Sequence, residues 1–186
     1  VTNPRLRDYE QFRLEWAALW ESDLEGRAER RDALIAWKGR LCGEDESPLL
    51  DALRAAGFDG KSVWDLVNTR EAYPELLETL RQHACYEYLP PTREGIFRAL
   101  TLRDAGDRVF DTLVRLWRDG VGLDNKFLRW ALANAISHNA RSGSQRDELA
   151  SLIDGDEYSN DPFVRRLRKS RRGRELLGYR SKETAH

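Results

Sequence analysis

Arg93-Glu94-Gly95-Ile96-Phe97-Arg98-Ala99-Leu100 lies over Arg129-Trp130-Ala131-Leu132-Ala133-Asn134-Ala135-Ile136, both reading Arg, any, small, aliphatic, any, polar, Ala, aliphatic. The offset is 36 residues (129 − 93). It also carries Asp111, Leu113, Leu116 and Trp117 onto Asp147, Leu149, Leu152 and Ile153, so one register spans two successive apolar stripes of helical period. One step back, Leu113 and Leu116 fall on Leu77 and Leu80. A period of this size marks helix pairs that cannot bury their apolar faces alone and stack into an α-solenoid.

Working outward, the pattern predicts repeat helices over 92–102 and 107–118, then over 125–139 and 145–154, with Gly120 and Gly122 between the pairs and Asp124 as a cap. Upstream, Asn3-Pro4 predicts a helix over 4–22, with a second near 27–42. The acidic Glu44-Asp45-Glu46 reads as a turn, after which Ser47-Pro48 opens a short helix ended by Gly57. Val63-Trp64-Asp65-Leu66-Val67 is assigned helix for want of any partner strand; Pro74 starts 74–83; Pro90-Pro91 hold 86–91 as an extended loop. Asp161-Pro162 begins a last helix that projects Phe163 and Leu167, and from about Arg171 the chain frays.

The expected architecture is all-α: a right-handed α-α superhelix with an N-terminal helical hairpin. It forms one domain over 1–186, divided into the hairpin (1–46), the repeats (47–169) and a basic flexible tail (170–186). Charged residues are 34% of the chain, which demands much solvated helix surface. From Phe163 to His186 nine Lys and Arg against Glu175 and Glu183 give +7; with −1 overall, residues 1–162 carry −8. With no apolar run of about 20 residues and no leader pattern, the chain reads as a cytoplasmic protein without a membrane contact. Cys42 and Cys85 read as reduced thiols.

The quoted repeats, together with Ser62-Val63-Trp64-Asp65-Leu66-Val67-Asn68 and Tyr73-Pro74, resemble bacterial HEAT-repeat proteins, in particular small HEAT-like solenoids of the phycocyanobilin-lyase type. The resemblance covers roughly 48–169. It implies protein binding on a superhelical surface and is nearly silent on activity. The chain departs from a regular array: the first copy lacks the Arg-and-Ala helix, the last lacks its second helix, and the Pro90-Pro91 loop is bulky.

Gly95, Ala99, Ala131 and Ala135 are expected to let helices approach, with Ile96, Leu100, Leu132 and Ile136 filling the layers. Arg93 and Arg129 form either a basic stripe or ion pairs to Glu94, Asp111 or Asp124. Trp117 maps to Ile153 and is core, whereas Trp130 maps to Glu94 and is the candidate exposed anchor. Asn134, mid-helix, is expected to bond a neighbouring backbone group. Arg93, Arg129, Trp130 and Asn134 are therefore the candidate protein-binding residues, with the inner surface of the second helices (74–83, 107–118, 145–154) as the contact face.

No catalytic residue, cofactor or metal is assigned. His83 and Cys85 make one H-x-C pair without a second, no nucleophile sits in an elbow, and Gly120-Val121-Gly122 is too short for a phosphate loop. The leading reading is a non-enzymatic scaffold for a protein partner; an immunity or antitoxin-like role masking a basic toxin suits the acidic body. The alternative is nucleic-acid binding through Arg165, Arg166, Arg168, Lys169, Arg171, Arg172 and Arg174. A HEAT-like DNA glycosylase using Trp130, Asp124 and Arg129 is disfavoured by the acidic body.

Overall fold

A computed structural model describes residues 3–21, 26–101, 106–154 and Val164. The described residues are helical and contain no strand: α1 (Arg5–Leu19), α2 (Arg27–Ala55), α3 (Val63–Asn68), a 3-10 turn (Pro74–Leu76) leading into α4 (Leu77–Ala84), α5 (Pro90–Ala99), α6 (Asp107–Arg118), α7 (Lys126–Asn139) and α8 (Gly143–Asp154). The chain divides into two compact units, 1–99 and 100–186. The division falls inside the segment read from the sequence as the first repeat pair.

In the first unit α1 and α2 form the expected hairpin around Phe12, Leu19, Leu34 and Leu41, with Leu6, Tyr9, Trp16 and Trp37 packed against them. Phe12 organises this cluster, its ring 5.9 Å from those of Tyr9 and Trp16 and 6.1 Å from that of Trp37. Asn3 holds the entry to α1 through its Oδ1, which accepts the Arg5 N–H at 3.0 Å.

The break expected at Glu44–Pro48 is absent: α2 runs through Pro48 for 29 residues. Proline removes one N–H and strands one carbonyl. Here both Pro48 and Glu44, four residues before it, are exposed, so the lost bond falls on the solvent side of the helix. Asp45 and Glu46 face inward instead of forming a solvated turn. Asp45 is 2% exposed and accepts from the Leu89 N–H (2.9 Å) and Asn3 Nδ2 (2.7 Å). Glu46 accepts from the Val63 N–H (2.5 Å) and Ser62 Oγ (3.0 Å) at the start of α3. Two buried carboxylates thus replace water as acceptors for two loop ends.

The short α3 is set by a capping box in which Ser62 accepts from Trp64 and Asp65 accepts from the Ser62 N–H. Gly95 lets α5 close onto it, because a Cβ there would lie 2.5 Å from Val63 Cγ1. Tyr73 donates to the Leu66 and Ala99 carbonyls at 3.3 and 3.0 Å, tying the ends of α3 and α5. Pro90-Pro91 do not extend a loop; they open α5, where a missing N–H costs nothing. The stretch before them turns inward, with Tyr88 and Leu89 buried.

In the second unit α6 buries Val109, Phe110, Leu113, Val114, Leu116 and Trp117 along one side. It packs on α7, whose Leu128, Ala131, Leu132, Ala135 and Ile136 are buried. Gln145 joins α8 to α6: Nε2 donates to Asp107 Oδ1 at 2.9 Å, while Oε1 accepts from the Arg141 and Ser142 N–H groups. Of the last expected helix only Val164 is described, helical and buried; Phe163 and Leu167 lie outside the described residues.

The 36-residue offset reappears in the helix bounds. α7 starts 36 after α5 (126 − 90), and α8 starts and ends 36 after α6 (143 − 107; 154 − 118). Within the quoted motif the two copies are buried or half-buried alike at every position but the first, Arg129 being the deeper arginine.

Candidate protein interface

The chain between α6 and α7 is folded by glycines. Gly120 (φ 78°) ends α6 in a Schellman arrangement, with its N–H on the Trp117 carbonyl and the Val121 N–H on the Leu116 carbonyl, both at 3.1 Å. Gly122 (φ 79°) then approaches the next helix so closely that a Cβ would lie 2.9 Å from the Arg129 nitrogen. Asn125 caps α7, its Oδ1 accepting from the Phe127 and Leu128 N–H groups at 3.1 and 3.2 Å.

Arg129 clasps this turn from inside. Its Nη1 donates to the Trp117 carbonyl (3.0 Å) and the Val121 carbonyl (3.1 Å), and its guanidinium stacks on the Trp117 ring. A cation at the carbonyl end of α6 also meets the negative pole of that helix. At 4% exposure Arg129 is not a surface contact, which corrects its place in a basic stripe; it meets two carbonyls and an indole. Trp117 is core, as its register predicts.

Arg93 takes a different position. It is half-buried with its guanidinium 5.9 Å from the Phe97 ring. Burial lowers its pKa from the ordinary arginine value, against the opposing pull of Glu87 and Cys85. Arg93 and Arg129 lie in separate units, and the residue 36 before Trp117 is Arg81, so the stack is not repeated.

Trp130 and Asn134 are half-buried on α7. The Asn134 carbonyl accepts from His138 Nδ1 at 2.9 Å. The interior amide that closes backbone groups is Asn139, whose Nδ2 donates to the Leu100 and Ala135 carbonyls at 2.7 and 2.9 Å; the role expected of Asn134 falls five residues later.

Two residues outside the sequence reading complete this face. Leu123 is 68% exposed in the turn and Phe127 60% exposed in the first turn of α7. Phe127, Trp130, Asn134 and His138 follow the three-and-four spacing that aligns side chains along one helix stripe. Lys126 Nζ lies 5.1 Å from the Phe127 ring. The signal was available: once Leu128, Ala131, Leu132, Ala135 and Ile136 are taken as the inner stripe, Phe127 must turn away from it. The second helices, by contrast, carry no exposed large apolar side chain among the described residues, which shifts the candidate face from α4, α6 and α8 to α7.

The basic set Arg165, Arg166, Arg168, Lys169, Arg171, Arg172 and Arg174 lies outside the described residues. Among the described residues no three His, Cys, Asp or Glu side chains gather to hold a metal ion, and no helix is long and apolar enough to cross a membrane. Neither Cys42 nor Cys85 is in a disulfide, and Cys85 Sγ donates to the Arg81 carbonyl. No protein-family model, curated protein or solved structure matches this chain.

Proposed function

We propose that this chain is a non-enzymatic helical-repeat scaffold of the HEAT-like solenoid kind, and that it binds a protein partner through the outer stripe of α7. The observation that carries the reading is two exposed apolar side chains, Leu123 in the turn before α7 and Phe127 in the first turn of a helix that is otherwise packed nearly all round. Leaving an aromatic and a leucine exposed at adjacent turns forgoes roughly 1.5–3 kcal/mol of burial apiece. A rigid support makes them useful: Arg129 and the two glycines fix the turn, so little ordering entropy is lost on binding. Aromatic anchors of this kind carry most of the energy at interfaces. The solenoid part of the reading rests on the 36-residue recurrence in sequence, helix bounds and burial.

The test is co-purification from the source cell with wild-type bait and a Phe127→Asp bait, each treated with nuclease. A protein recovered by the first and lost by the second, with helicity unchanged by circular dichroism, supports the reading. Equal recovery by both, or recovery of nucleic acid alone, overturns it.

A further inference from the structure

The second copy of the repeat shows what Arg93 lacks. Arg129 is held within its own turn, with Nη1 on the Trp117 and Val121 carbonyls and its plane on the Trp117 ring. At the same offset before them stand Arg81 and Cys85. The Arg81 carbonyl accepts from the Cys85 thiol at 3.6 Å, and where the second copy has an indole the first has another guanidinium. Among the described residues the Arg93 guanidinium consequently makes no hydrogen bond and no ion pair. Its Nε is closed off from solvent without an acceptor, and the Phe97 ring lies 5.9 Å away, against 3.2 Å for the stack of Arg129 on Trp117. A polar group withdrawn from water is normally paired, and a charge more strictly so. Arg93 is half-buried, which leaves part of the side chain open to an incoming group.

A second cation acts on the same place. Arg81 is fixed by Glu78, whose Oε2 accepts its Nε–H at 2.9 Å. The Glu78 bond raises the pKa of Arg81 and burial lowers that of Arg93, and in each case Cys85 adds an upward pull, so both guanidiniums lie within electrostatic reach of one exposed thiol. Arg81 comes from α4 and Arg93 from the first turn of α5, whose positive end adds to the field. The Glu87 carboxylate also acts on Arg93, but its Oε2 accepts from the Asn3 N–H at 3.0 Å and it forms no ion pair with the arginine.

We infer that Arg93, assisted by Arg81, is a binding site for an oxyanion. Phosphate fits best: the planar fork of arginine matches its oxygens, and a dianion answers two cations. The site lies in the first unit and is independent of the α7 stripe, which lies in the second.

The test titrates the full chain, labelled with nitrogen-15, with sodium phosphate at constant ionic strength, chloride making up the balance. At about pH 7 phosphate is largely dianionic, its second pKa being near 6. A parallel titration uses sodium acetate. With phosphate, amide shifts that saturate in the millimolar range and centre on Cys85 and Arg93 are expected. Arg93→Lys keeps the charge but loses the fork and should weaken phosphate on the order of tenfold; Arg93→Gln should abolish the saturable shifts, and Arg81→Gln should weaken them several-fold. Circular dichroism checks that the variants fold, and the wild-type titrations decide the matter even where one does not. No saturable shift with either anion, shifts centred elsewhere in the chain, or phosphate binding unchanged in a folded Arg93→Gln would each overturn the site. Acetate binding as tight as phosphate would keep the oxyanion site and overturn the preference for phosphate.

Discussion

The guanidinium carbon of Arg129 lies 3.2 Å from the centroid of the Trp117 ring, and Nη1 of the same arginine donates to the backbone carbonyl of that tryptophan at 3.0 Å. One side chain therefore grips both parts of one residue, stacking on its ring and closing the end of its helix. The planar guanidinium is what makes the double grip available; an ammonium can donate to carbonyls but has no plane to lay on the ring.

Arg129→Lys should consequently destabilise the protein by about 1–3 kcal/mol despite keeping the charge, and Arg129→Ala by as much or more, because a buried and a half-buried carbonyl lose their donor. Urea unfolding checks it. A lysine variant as stable as wild type would mean that charge alone holds the turn.

Glu46 makes a second such test. Glu46→Ala leaves the buried Val63 N–H without its acceptor and should cost about 1–3 kcal/mol. Glu44→Ala, on the exposed side of the same helix, should stay within about 0.5 kcal/mol of wild type.

Two glycines should respond oppositely to one methyl group. Gly95→Ala drives a Cβ into the buried Val63 and should lose roughly 1–3 kcal/mol. Gly39, inside α2, has open space around it, so Gly39→Ala should gain about 0.5–1 kcal/mol. Thermal melts of the pair give the signs directly.

Stability should fall in strong alkali in a way traceable to two tyrosines. Burial pushes the Tyr73 hydroxyl up to about 12, and burial with the nearby Asp45 and Tyr86 pushes Tyr88 up to about 12. An acid whose pKa is raised by folding contributes its full stability below the unfolded value near 10, and loses it as pH climbs through the folded value near 12. Each tyrosine should account for on the order of 2 kcal/mol of that loss, and Tyr73→Phe and Tyr88→Phe should each flatten the decline between those values. His83, with Nδ1 2.6 Å from the Tyr88 hydroxyl, has its pKa lowered by burial. It works from the acid side: its contribution is present above the ordinary histidine value and lost as pH falls through the lowered one.

Much of the helix plan is legible in the sequence. The spacing of Leu113, Leu116 and Trp117 yields the buried side of α6, and Asn3-Pro4 and Pro74 mark helix starts near where they occur. These are local signals, readable without neighbours. The Glu44–Pro48 stretch misleads because an acidic triplet beside a proline is normally solvated; only Leu89, Asn3, Ser62 and Val63, distant in sequence, make a carboxylate inside the protein stable. Pro90 misleads for the complementary reason, since a proline pair suits both an extended loop and a first helical turn.

The candidate face divides the same way. Trp130 and Asn134, named from the sequence, are half-buried, Trp130 less open than an exposed anchor would be, whereas Arg129 faces inward because the carbonyls at the end of α6 and the Trp117 ring are there to receive it. By itself the sequence determined the all-helical character, the 36-residue recurrence and the apolar stripes, since periodicity and capping act over a few residues. Tertiary structure alone decided which polar groups go inside and which apolar groups stay out. Desolvating an arginine or a carboxylate is tolerable only where partners from remote segments converge, and no local pattern records that convergence.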